Sequence, residues 1–211
     1  MSKNRYILPF KGSFYVEFGG VSEKDSHSWD VISQRYAYDF EIRDNNDKPY
    51  HDNYLELKKY YSYNKDIIAP LDGYVASICN CYQDTEIKDG RPITCDCDDV
   101  RGNHIIIKHK HGEYSLIAHI LKDSFQVKEG DIVRQGQVIA KVGNSGNTNG
   151  PHIHFQIQDR LDSKNAKGIK INFKNIKIRK NNRYINRRYI KHGYTVKINR
   201  LNIVKSHIFS L

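Results

Sequence analysis

Two histidines, His152 and His154, stand at alternate positions directly after a turn rich in glycine and asparagine, residues 143–151. Because residues two apart on an extended strand project from the same face, both imidazoles are expected to point into one site. Imidazole nitrogen is the commonest metal ligand in proteins, and a catalytic zinc needs about three protein ligands with one position left for water. The spacing therefore predicts a metal site or, as the alternative, a histidine pair on a solvated strand face.

The elements that would position these histidines are short and extended. The chain has 211 residues, enough for one domain with a real core, and its 15 tyrosines and short apolar runs between Gly, Asn, Asp and Pro indicate a mainly β protein. Residues 53–61 are predicted to form one short helix or a connection, and Gly112 is predicted to turn a hairpin. The predicted strands are residues 14–18, 36–43, 72–78, 104–108, 113–119, 138–142, 152–158, 169–173 and 195–198.

Several short segments, taken in their order along the chain, resemble those of one protein family. Residues 143–146 read Gly-Asn-Ser-Gly and residues 150–155 read Gly-Pro-His-Ile-His-Phe, after Ile-Ile-Ala-Pro-Leu-Asp-Gly-Tyr-Val at 67–75 and the strand pair 102–107 and 114–120. Over about residues 36–157 this order resembles the lysostaphin/LytM-type zinc metallopeptidases. The resemblance implies an all-β fold, similar to a duplicated hybrid motif, in which antiparallel sheets form a groove.

The same resemblance implies roles for individual residues. Zinc would be held by His154 and Asp39, while His119 and His152 would flank the metal without ligating it. Such an arrangement is chemically sensible, because zinc lowers the pKa of its water to about 7 and neighbouring imidazoles can move protons and stabilise an oxyanion. Asn103 is expected to bind substrate or orient His119, although Gly-Asn before a strand is equally typical of a turn.

The sequence departs from the family at one ligand. An H-x-x-x-D motif normally supplies a histidine four residues before the aspartate, and Arg35 occupies that position here. A guanidinium stays charged and cannot ligate zinc. Residues 34–40 resemble a variant branch of the family that keeps Gln-Arg-Tyr-Ala, and His27, beside the only Trp, is the expected replacement ligand.

Three functions follow as hypotheses. The first is a zinc metallopeptidase that hydrolyses peptide bonds in the stem peptides or cross-bridges of peptidoglycan. The second is a catalytically silent binding or regulatory module of the same fold, in which Arg35 faces the groove and fills the metal position. The third is a phosphoryl carrier on a related β scaffold, which Asp39 disfavours because its carboxylate would repel phosphate.

The four cysteines form two C-x-C pairs, Cys79 with Cys81 and Cys95 with Cys97. They could hold a second, structural zinc ion or form disulfides, and free thiols in a loop are the remaining alternative. Residues 1–175 are predicted to form the peptidase-like domain, with a core at 36–157 and a cysteine-bearing insertion at about 79–97. Residues 176–211 are predicted to be a basic C-terminal extension that could pack on the same domain.

The net charge of +10 is concentrated late, since residues 179–189 carry five positive charges and no negative one. Such a run favours a polyanionic partner such as an anionic wall polymer, or it is simply a solvated basic strand. No specific nucleic-acid partner is expected, because no nucleic-acid motif accompanies the run. No signal peptide or membrane span is expected either, so the chain is predicted to be cytoplasmic as synthesised and to reach a cell wall after non-classical release.

Overall fold

The computed structural model describes residues 1–88, 91–92, 98–181, 183–187 and 189–199. The protein is all-β, as predicted. Its strands are β1 Ser13–Gly19, β2 Tyr38–Glu41, β3 Asp66–Ile68, β4 Gly73–Cys79, β5 Ile87–Lys88, β6 Arg91–Pro92, β7 His104–Lys108, β8 Tyr114–Ala118, β9 Ile132–Val133, β10 Val138–Lys141, β11 Ile153–Gln158, β12 Ile176–Lys180, β13 Arg183–Arg187 and β14 Thr195–Ile198. Short 3-10 turns occur at Glu23–Asp25, Leu57–Lys59 and Lys110–Gly112. In the described part of the chain, no helix has the length and apolarity required to cross a membrane.

Ten strands form the main antiparallel sheet, in the order β13-β12-β14-β1-β2-β11-β8-β7-β4-β9. Strands β2 and β11 are neighbours near its centre, and their register places His154 directly opposite Asp39. Directly opposite residues on antiparallel strands project from the same face with short Cβ separations. Strand pairing therefore brings together two chemically active side chains that lie 115 positions apart in the sequence.

Hydrophobic alternation decides which face of the sheet these two residues occupy. Phe40 on β2 and Phe155 on β11 are fully buried in the core, and burying each ring stabilises the fold by about 1.5–3 kcal/mol. A register shift of one residue would turn these rings outward, so the register is strongly specified. Asp39 and His154, which alternate with the rings, are thereby directed to the opposite face.

Most predicted strands are present, and residues 104–108 and 195–198 match the structure to the residue. The predicted hairpin is confirmed, with Gly112 at φ +68° in the turn between β7 and β8. The strand predicted at residues 169–173 is wrong: this stretch makes a single isolated bridge, between Phe173 and Tyr6. Its backbone groups are divided between β11 and the N-terminal segment instead of one continuous ladder, since Ile169 N donates to Ile157 O and Asn172 O accepts from Tyr6 N.

Strands β12, β13 and β14 lie beyond residue 175, where the domain limit was predicted. They extend the main sheet, because β14 pairs with β1 and β12 pairs with β14. Residues 53–61 are mainly a connection with one 3-10 turn at Leu57–Lys59.

Of the four cysteines, Cys79 and Cys81 are free thiols with their Sγ atoms 3.4 Å apart. Cys95 and Cys97 lie outside the described residues, so the cysteine metal site or disulfides remain a prediction.

Candidate active site

A groove with a cavity volume of about 480 Å³ opens over the centre of the main sheet. It is lined by residues from β1, β2, β8 and β11 and by the loops that precede β2 and β11. Five of the residues named from the sequence meet there: His27, Asp39, His119, His152 and His154.

Asp39 is the centre of this group. Its Oδ1 lies 2.9 Å from His154 Nδ1 and 3.7 Å from His152 Nε2, and its Oδ2 lies 3.3 Å from His27 Nδ1. Both Asp39 and His154 are buried, whereas the His27 side chain is about one third exposed, at 31%. Two of the three groups therefore come from the rigid sheet, and the third comes from a loop.

The electrostatics of the groove favour a charged Asp39 carboxylate. Burial alone would raise the pKa of Asp39, but attraction from His152 and the close polar contact with His154 hold that pKa well below its usual range. Burial lowers the pKa of His27, which outweighs the attraction of Asp39. Burial opposes protonation of His154 as well, yet its hydrogen bond to Asp39 raises its pKa.

The side chains of His27, Asp39 and His154 fit a metal ion. Each offers one ligand atom, and these atoms lie within 4.8 Å of one another. Two imidazole nitrogens and one carboxylate oxygen are a donor set that zinc accepts, with a fourth position left for water. The close approach of His154 Nδ1 to a charged Asp39 oxygen also requires a positive species between or beside them, either a proton or a metal ion.

Arg35 points away from this group. Its Nε donates to the backbone carbonyl of Trp29 at 2.8 Å, and its guanidinium lies 5.1 Å from the centre of the Trp29 ring. Among the described residues, Arg35 is not one of those that line the groove. Its charge is therefore engaged in holding the loop between His27 and β2, instead of filling the position where the ligand atoms converge.

His119 enters the groove from the end of β8 with an unusual backbone. Its φ is +61°, a left-handed conformation that is strained for a non-glycine residue and frequent at functional sites. Its Nδ1 lies 2.8 Å from the Ser145 carbonyl, which only accepts, so Nδ1 carries the proton and Nε2 is a free base. Burial and the neighbouring His152 and His154 hold the pKa of His119 well below its ordinary value.

His152 is held in a similar way beside His119. Its Nδ1 donates to the Gly150 carbonyl at 2.8 Å and lies 3.2 Å from Thr148 Oγ1, which leaves Nε2 on the side of Asp39. The rings of His119 and His152 are 4.7 Å apart between centroids. Two imidazoles, each with Nε2 available, thus flank the carboxylate.

Asn103 does not lie where substrate could reach it, which corrects its assignment to substrate binding. The residue is fully buried, and its Oδ1 accepts from Tyr82 N while its Nδ2 donates to Tyr82 O and Ile120 O. Since all side-chain polar groups are satisfied by backbone, Asn103 holds together the loops beside His119. The alternative view of this segment as structural is the one that fits the geometry.

Sequence reasoning missed several polar residues in or beside the groove. Glu17, Glu41 and Arg43 line one wall, where burial and the charge of Glu17 raise the pKa of Glu41 to about 7. Gln156 and Gln158 are buried on β11 beside His154. A signal for the glutamines was available, because polar residues recur at every second position from His152 to Gln158, where a two-sided buried strand would be apolar.

Comparison with known proteins identifies the family of this chain. The model of peptidase family M23 matches residues 57–172, more than half of the chain and the part that contains His119, His152 and His154. The chain belongs to peptidase family M23. The match begins after Asp39, so the M23 model itself does not cover His27, Arg35 or Asp39.

Curated relatives of this M23 chain match over short stretches. Peptidoglycan DD-endopeptidase ShyB of Vibrio cholerae is 35% identical over 69 residues, which cover 33% of this chain and 16% of ShyB. DD-carboxypeptidase/endopeptidase Mpg of Neisseria meningitidis is 42% identical over 55 residues, covering 26% of this chain and 12% of Mpg. The murein hydrolase activator EnvC of Escherichia coli is 38% identical over 77 residues, covering 35% and 18%. The chain spans less than a fifth of the length of each of these relatives.

Solved structures similar to this M23 chain include two with low identity. The catalytic domain of the prophage-encoded M23 protein EnpA from Enterococcus faecalis, an A109H mutant, is 18% identical with a TM-score of 0.45, covering 77% of this chain and 93% of that one. The catalytic domain of lysostaphin from Staphylococcus simulans is also 18% identical with a TM-score of 0.42, covering 75% and 88%.

Proposed function

We propose that this protein is a zinc metalloendopeptidase that hydrolyses peptide bonds in peptidoglycan stem peptides or cross-bridges. The observation that carries the proposal is the convergence of His27 and His154 on the buried, charged Asp39, with His119 and His152 beside them. Membership of peptidase family M23 supports peptide-bond hydrolysis. The names of ShyB and Mpg, both peptidoglycan or DD-peptide hydrolases, support a wall substrate.

In this proposal His27, Asp39 and His154 hold the zinc ion. When bound, zinc supplies Lewis-acid chemistry, because it polarises a carbonyl oxygen and lowers the pKa of water to about 7. His119 is suited to accept a proton at Nε2, since its Nδ1 proton is fixed on the Ser145 carbonyl and its low pKa keeps the ring neutral.

His152 supplies the complementary function. Its Nδ1 proton is fixed on the Gly150 carbonyl, so Nε2 is the atom that faces the reacting centre beside Asp39. A protonated Nε2 there can donate a hydrogen bond to a developing oxyanion or a proton to the leaving amine. The two neighbouring imidazoles thus divide proton acceptance and donation between them.

The test is release of soluble peptides from purified peptidoglycan by the zinc-loaded protein. Single replacements His119→Ala and His152→Ala are expected to slow hydrolysis by about 10²–10⁴-fold, the usual contribution of a general acid or base. Both variants should retain one zinc ion, which separates loss of catalysis from loss of metal. A wild-type protein that holds zinc but releases no peptide from any wall preparation would contradict the proposal.

One relative favours a second candidate function. EnvC is named an activator of murein hydrolases, so a regulatory module is a documented role for a protein similar to this one. In that case the wild-type chain would bind wall or a hydrolase without releasing peptides itself. The position of Arg35 on Trp29 weakens the specific version in which Arg35 replaces the metal.

We also propose that the C-terminal strands bind an anionic wall polymer. All 24 acidic residues lie at or before Asp162, whereas the 49 residues after it contain 14 Lys and Arg. Lys177 on β12 and Lys197 on β14 are directly opposite each other, and the Lys197 ammonium lies 3.6 Å from the Tyr184 ring centre. Clustered cations of this kind attract polyanions over a range set by ionic strength.

The charge proposal is tested by sedimentation with walls that carry or lack their anionic polymers. The double variant Lys177→Glu/Lys197→Glu should lose binding to the polymer-bearing walls. The matched control Lys108→Glu/Lys110→Glu makes the same change in net charge at exposed positions of the β7–β8 hairpin. Equal loss in both variants would show that only overall charge matters and would overturn the assignment of the C-terminal strands.

A further inference from the structure

A chain of buried polar side chains runs along β11 away from the metal-ligand group. His154, Gln156 and Gln158 occupy alternate positions and are all buried. His154 Nε2 lies 2.9 Å from Gln156 Oε1, and Gln156 Nε2 lies 2.8 Å from Gln158 Oε1. We call these three residues the β11 relay.

The hydrogen bonds of Gln158, at the end of the β11 relay away from His154, determine which atom donates at each step. Gln158 Nε2 lies 2.7 Å from the Arg160 carbonyl and 3.2 Å from the Leu161 carbonyl. Carbonyl oxygens only accept, so the NH₂ group of Gln158 must face them and its Oε1 must face Gln156. Gln156 must then present its own NH₂ group to Gln158 and its Oε1 to His154.

This hydrogen-bond direction determines which nitrogen of the His154 imidazole carries a proton. An amide oxygen at Nε2 requires a proton on Nε2, so the neutral ring has its lone pair on Nδ1. Nδ1 is the atom that lies 2.9 Å from Asp39 and belongs to the ligand group with His27. The tautomer of the proposed ligand is thus decided by two backbone carbonyls beyond the end of its own strand.

The surroundings of the β11 relay explain why its hydrogen bonds matter. On the neighbouring strand β8, Ala118 lies opposite His154 and Leu116 lies opposite Gln156. Leu116, Ala118 and Ile106 form a small buried apolar cluster on this face. In such surroundings an amide is costly to bury unless its partners are in place, and a half-satisfied chain would be worse than leucine.

We infer that Gln156 and Gln158 are positioning residues that hold His154 in the Nε2–H tautomer, with Nδ1 ready to bind metal. The inference rests on the metal site of the proposed function. Partners that orient a ligating histidine through its second nitrogen typically contribute 10–100-fold to metal affinity. The β11 relay is also attached to the groove wall, because Ser163 Oγ lies 3.1 Å from Gln158 Nε2 and accepts from Arg101 Nη1.

The experiment measures zinc affinity of the metal-free protein by competition with a chelating dye. Gln156→Leu keeps the volume but removes the acceptor, so zinc affinity should fall about 10–100-fold while the protein stays folded. Gln156→Glu keeps an acceptor facing Nε2 but loses the donor to Gln158 Oε1, so its zinc affinity should fall less than that of Gln156→Leu. The matched control Gln135→Leu removes a glutamine whose Nε2 donates to the Pro70 carbonyl, and it should leave zinc affinity unchanged.

A second readout reports the tautomer directly. Nitrogen-15 imidazole spectra of the zinc-loaded protein should show His154 bound to zinc through Nδ1 with a proton on Nε2 in wild type, and a mixture of Nδ1-bound and Nε2-bound forms in Gln156→Leu. Unchanged zinc affinity together with an unchanged tautomer in Gln156→Leu would overturn the inference. A wild-type protein that binds no zinc but shows the Nε2–H form would instead sink the proposed metal site and leave the orienting role of the β11 relay intact.

Discussion

Two groups of histidines in this protein share burial but differ in their partners. In the β7–β8 hairpin, His104 and His109 are buried and each Nδ1 donates to a backbone carbonyl, of Gly102 and of Asp72. In the groove, His154 is equally buried, but it meets the carboxylate of Asp39. Burial therefore does not mark a chemically active histidine, whereas convergence on a buried charge does.

The pKa directions make the same distinction between His154 and the two hairpin histidines. Burial lowers the pKa of His104 and His109, and their hydrogen bonds to neutral carbonyls do not reverse it. Burial acts on His154 too, yet the hydrogen bond and charge of Asp39 raise its pKa. One carboxylate thus separates the groove group, which can hold a cation, from the hairpin group, which serves packing.

The largest effect is expected from removing that carboxylate's charge. Asp39→Asn preserves shape but takes away the anionic ligand, so zinc affinity should fall on the order of 100-fold or more, beyond the usual cost of losing an outer partner. Isothermal titration of zinc into metal-free protein measures it. The hairpin variant His109→Gln serves as the control and should bind zinc like wild type. If both variants lost zinc equally, the distinction between the two groups would fail.

A smaller effect is expected at Arg35. Its hydrogen bond and its contact with the Trp29 ring anchor the loop that carries His27. Removing both in Arg35→Ala should weaken zinc binding by about 5–30-fold, corresponding to about 1–2 kcal/mol of lost anchoring. The decisive result of the zinc titration is whether Arg35→Ala weakens or tightens zinc binding. Tighter binding in Arg35→Ala would mean that the guanidinium repels the metal, as a silent module would require.

The smallest effect concerns the pH dependence of stability in the hairpin. Because burial lowers the pKa of His109 in the folded protein, the unfolded chain binds a proton at His109 more readily. The stabilising contribution of neutral His109 is therefore present above about pH 6.5 and is lost as the pH falls below that value. His109→Gln should lower stability at pH 8 by about 1 kcal/mol, since Nε2 also accepts from Ser115.

Urea unfolding of the metal-free protein at pH 8 and pH 5 checks this prediction. The stability difference between the two pH values should be smaller in His109→Gln than in wild type. His104 and His119 retain lowered pKa values in the variant, so part of the dependence should remain. An undiminished difference in His109→Gln would show that His109 is charged in the folded protein and belongs with the groove group.

The strands that build the groove could be predicted because their patterns are local. Alternation placed His152 and His154 on one face, and the ordered glycine turns identified the family that the M23 match confirms. The strands at the C-terminal end were missed except for 195–198, since apolar residues alternate with Lys and Arg in β12 and β13 begins and ends with Arg, a composition that is also typical of a solvated extension. Their place in the sheet depends on long-range pairing, of β14 with β1 and of β12 with β14, and no local sequence pattern predicts this pairing.

The site itself was predictable only in part, for a physical reason. Asp39 and His154 are fixed by strand register, so their proximity follows from the sheet. His27 arrives through a loop whose path depends on Arg35 and Trp29, and spacing cannot decide that path. Gln156 and Gln158 gain their importance from carbonyls of a following loop, which the sequence does not locate in space. Asn103 was predicted to bind substrate because a Gly-Asn pair in the sequence does not show whether the asparagine side chain is buried.

The central claim, that His27 completes the metal site in place of the missing histidine at Arg35, is tested most directly by zinc titration of one matched pair of variants. His27 and His51 each place Nδ1 beside an aspartate, at 3.3 Å from Asp39 and 3.2 Å from Asp52, but the second pair is exposed and is not among the residues that line the groove. His27→Ala should weaken zinc binding on the order of 100-fold, and His51→Ala should leave it unchanged. Wild-type affinity in His27→Ala would contradict the account.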